Sequence, residues 1–182
     1  MLKKLTATFI ASLSIIAPSP ALAGEIEDHQ HLWDTLPRIG VTRHINDPEY
    51  CSKLDKFAGI YDSWNNVLVI CQDNGRYDGE MVGWTDNDLD TLRHESHHIV
   101  QDCANSTLAD NQMDNMFNEE ELKRFIASSG MTAEQLRRIA HTYKENGATD
   151  DVILKEFEAF AVARSINPRD IADKLIQFCG LV

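Results

Sequence analysis

Five consecutive residues, His94-Glu95-Ser96-His97-His98, hold three of the seven histidines in a 182-residue chain. The spacing that matters chemically is His94-Glu95-x-x-His98. Four residues of α-helix turn through about 400°, so these histidines would stand about 40° apart and one turn along, close enough to share a metal ion. Glu95 would stand about 100° from His94, beside the ion rather than on it. There a carboxylate can take a proton from a zinc-bound water and return it to a leaving amine. His97 is not needed for the metal and reads as a supporting or rim residue without catalytic duty. The competing reading is a polar helix face that happens to be rich in histidine.

The rest of the helix bears on this choice. With His94 as origin, Leu89, Leu92, Ile99, Val100 and Cys103 fall between about 140° and 240°, so the core side lies opposite the histidines. A histidine pair packed into the core would show the reverse. Further along, Glu156 and Glu158 compete for the place of a third ligand. Around Glu156, the residues Val152, Ile153, Phe157, Ala159, Phe160 and Ala163 fall from about 60° before it to 100° after it. A lone carboxylate centred on that apolar face is expensive to bury without a cation or a metal. Glu158 falls near 200°, beside Lys155, and reads as a solvated surface residue. The alternative for Glu156 is an ion pair with an arginine such as Arg138 or Arg164.

The stretch "HESHHIVQ" resembles the H-E-x-x-H-x-x-Q variant of the zincin metallopeptidase motif. The metzincin branch continues with Gly and His, where this chain has Gln101 and Ala104, and is excluded on spacing. The gluzincin branch takes a third ligand from a downstream helix, often in an E-x-x-A setting. "EFEAFAVAR", Glu156 to Arg164, resembles that setting through Glu156 and Ala159. Some gluzincins carry Asp four residues after this Glu; here the position is Phe160, so carboxylate support for a motif histidine comes from elsewhere or is missing.

The resemblance implies a Zn²⁺ ion held by His94, His98 and Glu156, a fourth position for water, and Glu95 as general base in peptide-bond hydrolysis. Gluzincins generally stabilise the oxyanion with a His, Tyr or Arg, and His141 or Tyr143 could serve. His141 also reads as an ordinary, partly buried polar residue. The strand "NNVLVIC" precedes the motif helix as the substrate-pairing edge strand does in zincins, where an extended peptide can add to an open edge. The same apolar composition suits an ordinary core strand.

Those residues need elements to position them. Residues 24–50 are polar with scattered apolar anchors and read as a lead-in segment. "NNVLVIC" (65–71) reads as a strand, ends at the turn signal "QDNGR", and is followed by a second extended piece, "EMVGW". Together they suggest a hairpin or small antiparallel sheet. From Thr85 the pattern turns helical, opening on cap-forming and acidic residues. Thr132 with Gln135 makes a capping box before a helix that Gly147 can close. Thr149 precedes "VILKEFEAFAVAR", and Asn167-Pro168 opens the last helix. The fold class expected is α+β, a small N-terminal sheet followed by four or five helices of a mainly helical, zincin-like domain.

Residues 1–23 read as a cleaved signal peptide, with Lys3 and Lys4, an apolar run and Ala21-Leu22-Ala23. That leaves residues 24–182 as a single domain, secreted or periplasmic, with no later segment approaching a membrane span. The four cysteines then argue for two disulfides, with Cys51–Cys71 and Cys103–Cys179 the favoured pairing among three. Without Lys3 and Lys4, 15 basic side chains face 29 acidic ones, a formal charge of −14, which argues against a nucleic-acid partner. The function expected is a secreted zinc metallopeptidase acting on a peptide or protein. Its rivals are a non-peptidase hydrolase on the same zinc site and a disulfide-tied binding module whose histidines only decorate the surface.

Overall fold

The computed structural model describes residues 20–52, 58–105, 107–110 and 112–180, with side chains from residue 24 onward. The leader expected over residues 1–23 therefore lies outside the described residues, apart from the backbone of its last four. The chain opens with α1 (Pro20–Thr35), whose Leu32 and Trp33 are buried, followed by a 3-10 turn, Leu36–Ile39. Gly40 closes that turn at φ 84°, a left-handed conformation that suits glycine. Next come β1 (Thr42–Ile45), the short α2 (Pro48–Cys51) capped by Asp47, β2 (Gly59–Asp62) and β3 (Val67–Ile70). Five helices complete the chain: α3 (Asp86–Asp102), α4 (Glu119–Ser128), α5 (Ala133–Glu145), α6 (Asp150–Ser165) and α7 (Pro168–Cys179). The architecture is α+β, a three-stranded sheet followed by a mainly helical region.

The sheet differs from the sequence expectation in its pairing. "EMVGW" is not a strand; β3 pairs antiparallel with the preceding β2 and parallel with β1, in the order β1-β3-β2. Residues 24–50 are likewise not a loose lead-in, since they contribute α1 and β1. Their apolar residues are too widely spaced to advertise a helix, yet Leu32 and Leu36 are fully buried. All four residues of β3 are buried, which explains why this was the one strand with a continuous apolar signature.

Local capping chemistry sets the helix starts. Thr85 and Asp88 form a reciprocal capping box at α3, with hydrogen bonds of 3.1 and 2.8 Å. Thr132 and Gln135 do the same at α5, while Thr149 caps α6 and Asn167 caps α7. α3 is the central element, packed against α1, α6, α7, β2 and β3. Its Leu92 and Ile99 join Leu36, Leu68, Ile70, Ile171 and Leu175 in the fully buried core. Two disulfides pin this arrangement: Cys51–Cys71 ties α2 to the end of β3, and Cys103–Cys179 ties the end of α3 to α7. They fit an oxidising compartment. Among the described residues, no helix is long and apolar enough to cross a membrane.

Candidate metal centre

His94 and His98 project from α3 toward α6, the helix that lies across them and carries Glu156. The histidine face is opposite the main core, as periodicity indicates, yet it is not open: His94, His98 and Glu156 are each only 6–8% exposed. Their inner atoms converge. His94 Nε2 lies 3.1 Å from His98 Nε2 and 3.1 Å from Glu156 Oε2, and His98 Nε2 lies 3.5 Å from Glu156 Oε1. Glu156 faces these histidines and not Arg138 or Arg164. Its Oε2 is buried without a hydrogen bond, although it lies so close to His94. One donor atom from each of the three residues can be chosen so that all lie within 4.8 Å of one another, close enough to surround one ion, and an ion there would satisfy the orphaned oxygen. The donor set fits a metal.

Electrostatics points the same way. Burial would raise the carboxyl of Glu156, but the His98 and His94 imidazoles outweigh it and hold it far below the usual range. Burial pulls His98 down, and Glu156, with Glu95 and Gln101, more than reverses this and lifts it to about 9. A metal held between these groups would take the place of a proton on the histidines. Glu95 is also buried, and burial, reinforced by the Glu156 charge, keeps its carboxyl above the ordinary glutamate range despite the nearby histidines. Its Oε2 accepts the Tyr61 N–H at 2.9 Å.

The two histidines are supported unequally. His98 Nδ1 donates to Gln101 Oε1 at 2.8 Å, which leaves Nε2 for a metal. Gln101 is itself held, its Nε2 donating to Glu158 Oε1 at 3.1 Å and to the Lys155 carbonyl at 3.3 Å. His94 Nδ1, by contrast, is buried with no partner, and the ring packs on Phe160 with centroids 4.3 Å apart. The carboxylate support absent at position 160 is therefore not supplied from elsewhere among the described residues.

Glu158 is not a solvated surface residue. It is fully buried, and its carboxylate accepts from His97 Nε2 at 2.7 Å, from Gln101, and from the backbone N–H groups of Met116 and Phe117. Periodicity registered only that Glu158 leaves the apolar face; it carried no sign that residues 116–117 would close over the far side of α6. His97 pairs with this carboxylate and lies away from the three donor atoms. Burial holds its imidazole below the ordinary value even against the Glu158 charge. The sequence named Gln101 only as a letter of the motif, and its side-chain role appears once α3 and α6 are packed together.

Two cavities meet at the centre. One, of about 590 Å³, is bounded by His94, Glu95, Tyr143 and Phe160 and extends along α5; the other, of about 280 Å³, is bounded by His94, Glu95, His98 and Glu156 and reaches β2. Tyr143 borders both, and burial together with the Glu156 charge holds its phenol well above the ordinary value. His141 is elsewhere: its side chain is 75% exposed, and it pairs with Glu145. No residue of 24–50 lines either cavity.

The strand beside the centre is β2 and not β3, which is the middle strand with both edges occupied. Cys71 N–H donates to Ala58 O, so in this antiparallel register Ile60 and Asp62 also face β3, while Gly59 and Tyr61 direct their backbone groups outward. Gly59 is needed here because a Cβ would fall 2.7 Å from Thr91 Cγ2 and 2.8 Å from Val69 O.

A family model described as a domain of unknown function (DUF8637) matches residues 25–180. No curated protein and no solved structure matches the chain.

Proposed function

This chain belongs to the DUF8637 family, and we propose that it is a zinc-dependent metallopeptidase acting in an oxidising compartment outside the cytoplasm. The observation that carries the reading is the convergence of His94 Nε2, His98 Nε2 and the Glu156 carboxylate beside a buried Glu95 in a cleft. Two imidazoles and a carboxylate suit zinc, and donors 2.0–2.1 Å from a tetrahedral centre are about 3.3–3.4 Å apart. The separations from His94 Nε2 to His98 Nε2 and to Glu156 Oε2, each 3.1 Å, lie close to that figure. Three protein donors leave a position for water, as in catalytic rather than closed structural sites.

When bound, zinc supplies a Lewis acid that polarises a carbonyl and acidifies water. The protein's own groups supply the rest. Tyr61 N–H holds Glu95 Oε2, leaving Oε1 to take a proton from the attacking water and deliver it to the departing amine. Burial, by raising the affinity of Glu95 for that proton, suits it to hold the proton between the two transfers. Tyr143, at the junction of both cavities, can offer its hydroxyl to the developing oxyanion. An extended peptide can pair with the outward backbone groups of Gly59 and with the Tyr61 carbonyl on β2, the Tyr61 N–H being kept by Glu95, which moves the substrate-pairing role from β3 to β2.

The test is metal content and turnover of the purified, oxidised chain beside two variants. The wild type is expected to hold about one zinc and to cleave peptides. Glu156→Ala should hold zinc far more weakly. Glu95→Gln should keep the zinc and lose about 10²- to 10⁴-fold in turnover. A wild type that takes up no zinc overturns the reading in favour of a binding module. Cleavage of esters but no peptide would point to another hydrolase on the same centre.

A further inference from the structure

The larger cavity beside His94 and Glu95 carries two arginines, Arg138 from α5 and Arg164 from α6. Neither makes an ion pair or hydrogen bond among the described residues, in a chain with 29 acidic side chains to 17 basic ones. The other charged residues bordering the cavity are Asp90 and Glu95. Asp90 is engaged by Arg93, and Glu95 is buried with one oxygen on Tyr61 N–H. Neither of these carboxylates pairs with Arg138 or Arg164.

The placement follows from the helices. Glu156, Phe160 and Arg164 succeed one another at four-residue intervals on α6, so they form one row: a donor to the metal centre, the ring packed on His94, then the guanidinium. On α5, Gln135, Arg138, Ile139 and Thr142 line the cavity at helical spacing. That helix has no buried residue at all, so its inward face serves the cavity and not the core.

We propose that the cleft selects peptides carrying a carboxylate close to the bond that is cut, held by Arg138 and Arg164. This rests on the peptidase reading and names its substrate class. A guanidinium offers a carboxylate two parallel N–H donors in a fixed fork. The carboxylate can belong to an Asp or Glu side chain or to the peptide's own C-terminus.

Four otherwise identical peptide sets separate these sources. One carries Asp or Glu with both ends blocked, one the matching Asn or Gln with both ends blocked, and one a neutral sequence with a free C-terminus. The last is the same neutral sequence amidated. Binding is measured by calorimetry on the zinc-loaded Glu95→Gln chain and cleavage on the zinc-loaded wild type, each also with Arg138→Gln/Arg164→Gln. A carboxylate set should be favoured about tenfold to a hundredfold in binding and in kcat/KM, and the double variant should erase that preference. Because both arginines are exposed, the double variant should fold normally, and an unchanged melting temperature checks this. Arg138→Lys/Arg164→Lys should recover part of the preference. Peptides cleaved without regard to carboxylates would overturn this proposal and leave the peptidase reading intact. Carboxylate-dependent binding that needs the arginines, with no peptide cleaved, would support the pocket and overturn the peptidase reading. No binding preference and no cleavage would overturn both.

Discussion

His98 and His94 occupy one turn of one helix, yet their outer nitrogens meet opposite surroundings. His98 Nδ1 is held by Gln101, and through it by Glu158, whereas His94 Nδ1 is buried with nothing to donate to in a ring packed on Phe160. An outer-nitrogen partner raises the basicity of a ligating imidazole and fixes its orientation, and losing one typically weakens metal affinity about 10- to 100-fold. Gln101→Leu should therefore weaken zinc binding by about that factor, by freeing His98 and removing one donor from Glu158. Phe160→Asp should act in the opposite sense, giving His94 Nδ1 an acceptor and tightening zinc about tenfold. Competition titration against a chromophoric chelator reads both, and equal affinities in all three proteins would refute the unequal support described here.

Elements matter through the distances they hold between groups that no local pattern connects. β2 lies close enough to α3 for Tyr61 N–H to reach Glu95, and the Tyr61 hydroxyl is anchored on Asp102 at 2.7 Å, two turns further along the same helix. This approach depends on Gly59, where a methyl group would collide with Thr91 and with the Val69 carbonyl. Gly59→Ala should push β2 outward, cost about 1–3 kcal/mol in unfolding free energy, and lower kcat more than it weakens zinc. Chemical denaturation and turnover of the zinc-loaded variant test this. A variant with wild-type stability and rate would show that the strand can shift without consequence.

For the whole molecule, the centre lies between α3 and α6, so the proposed metal, once bound, would be thermodynamically linked to folding. A ligand that binds only the folded state at a thousandfold excess over its Kd adds about 4 kcal/mol of stability. Removing zinc with a chelator should thus lower the melting temperature by several degrees, and readdition should restore it. Glu156→Ala should show little response to either treatment. The disulfides hold the scaffold in both states: Cys103–Cys179 closes a span of 76 residues that contains Glu156 and the whole of α4, α5 and α6. Metal removal should for that reason loosen the centre without unfolding the chain, and near-native far-ultraviolet dichroism after chelation would verify it.

Much of this was legible along the chain because it is local. The caps at Thr85, Thr132, Thr149 and Asn167 act within three residues of themselves, and the i,i+4 histidine pair needs only one helical turn. An apolar setting around Glu156 was likewise enough to separate it from a surface acid. Other features were decided by tertiary packing. Glu158 looked solvated because a buried carboxylate satisfied by distant N–H groups has the same letter as an exposed one. β1 and β2 are four-residue strands of mixed polarity that become strands only by pairing with β3, and α1 declares itself only once it packs on α7. Tyr143 and His141 are two residues apart on α5, and only the packing of that helix against α6 brings the tyrosine to the centre and leaves the histidine in water. Local rules write themselves in neighbouring letters, while groups brought together across forty or sixty residues leave no such trace, because the contact exists only after the chain has folded.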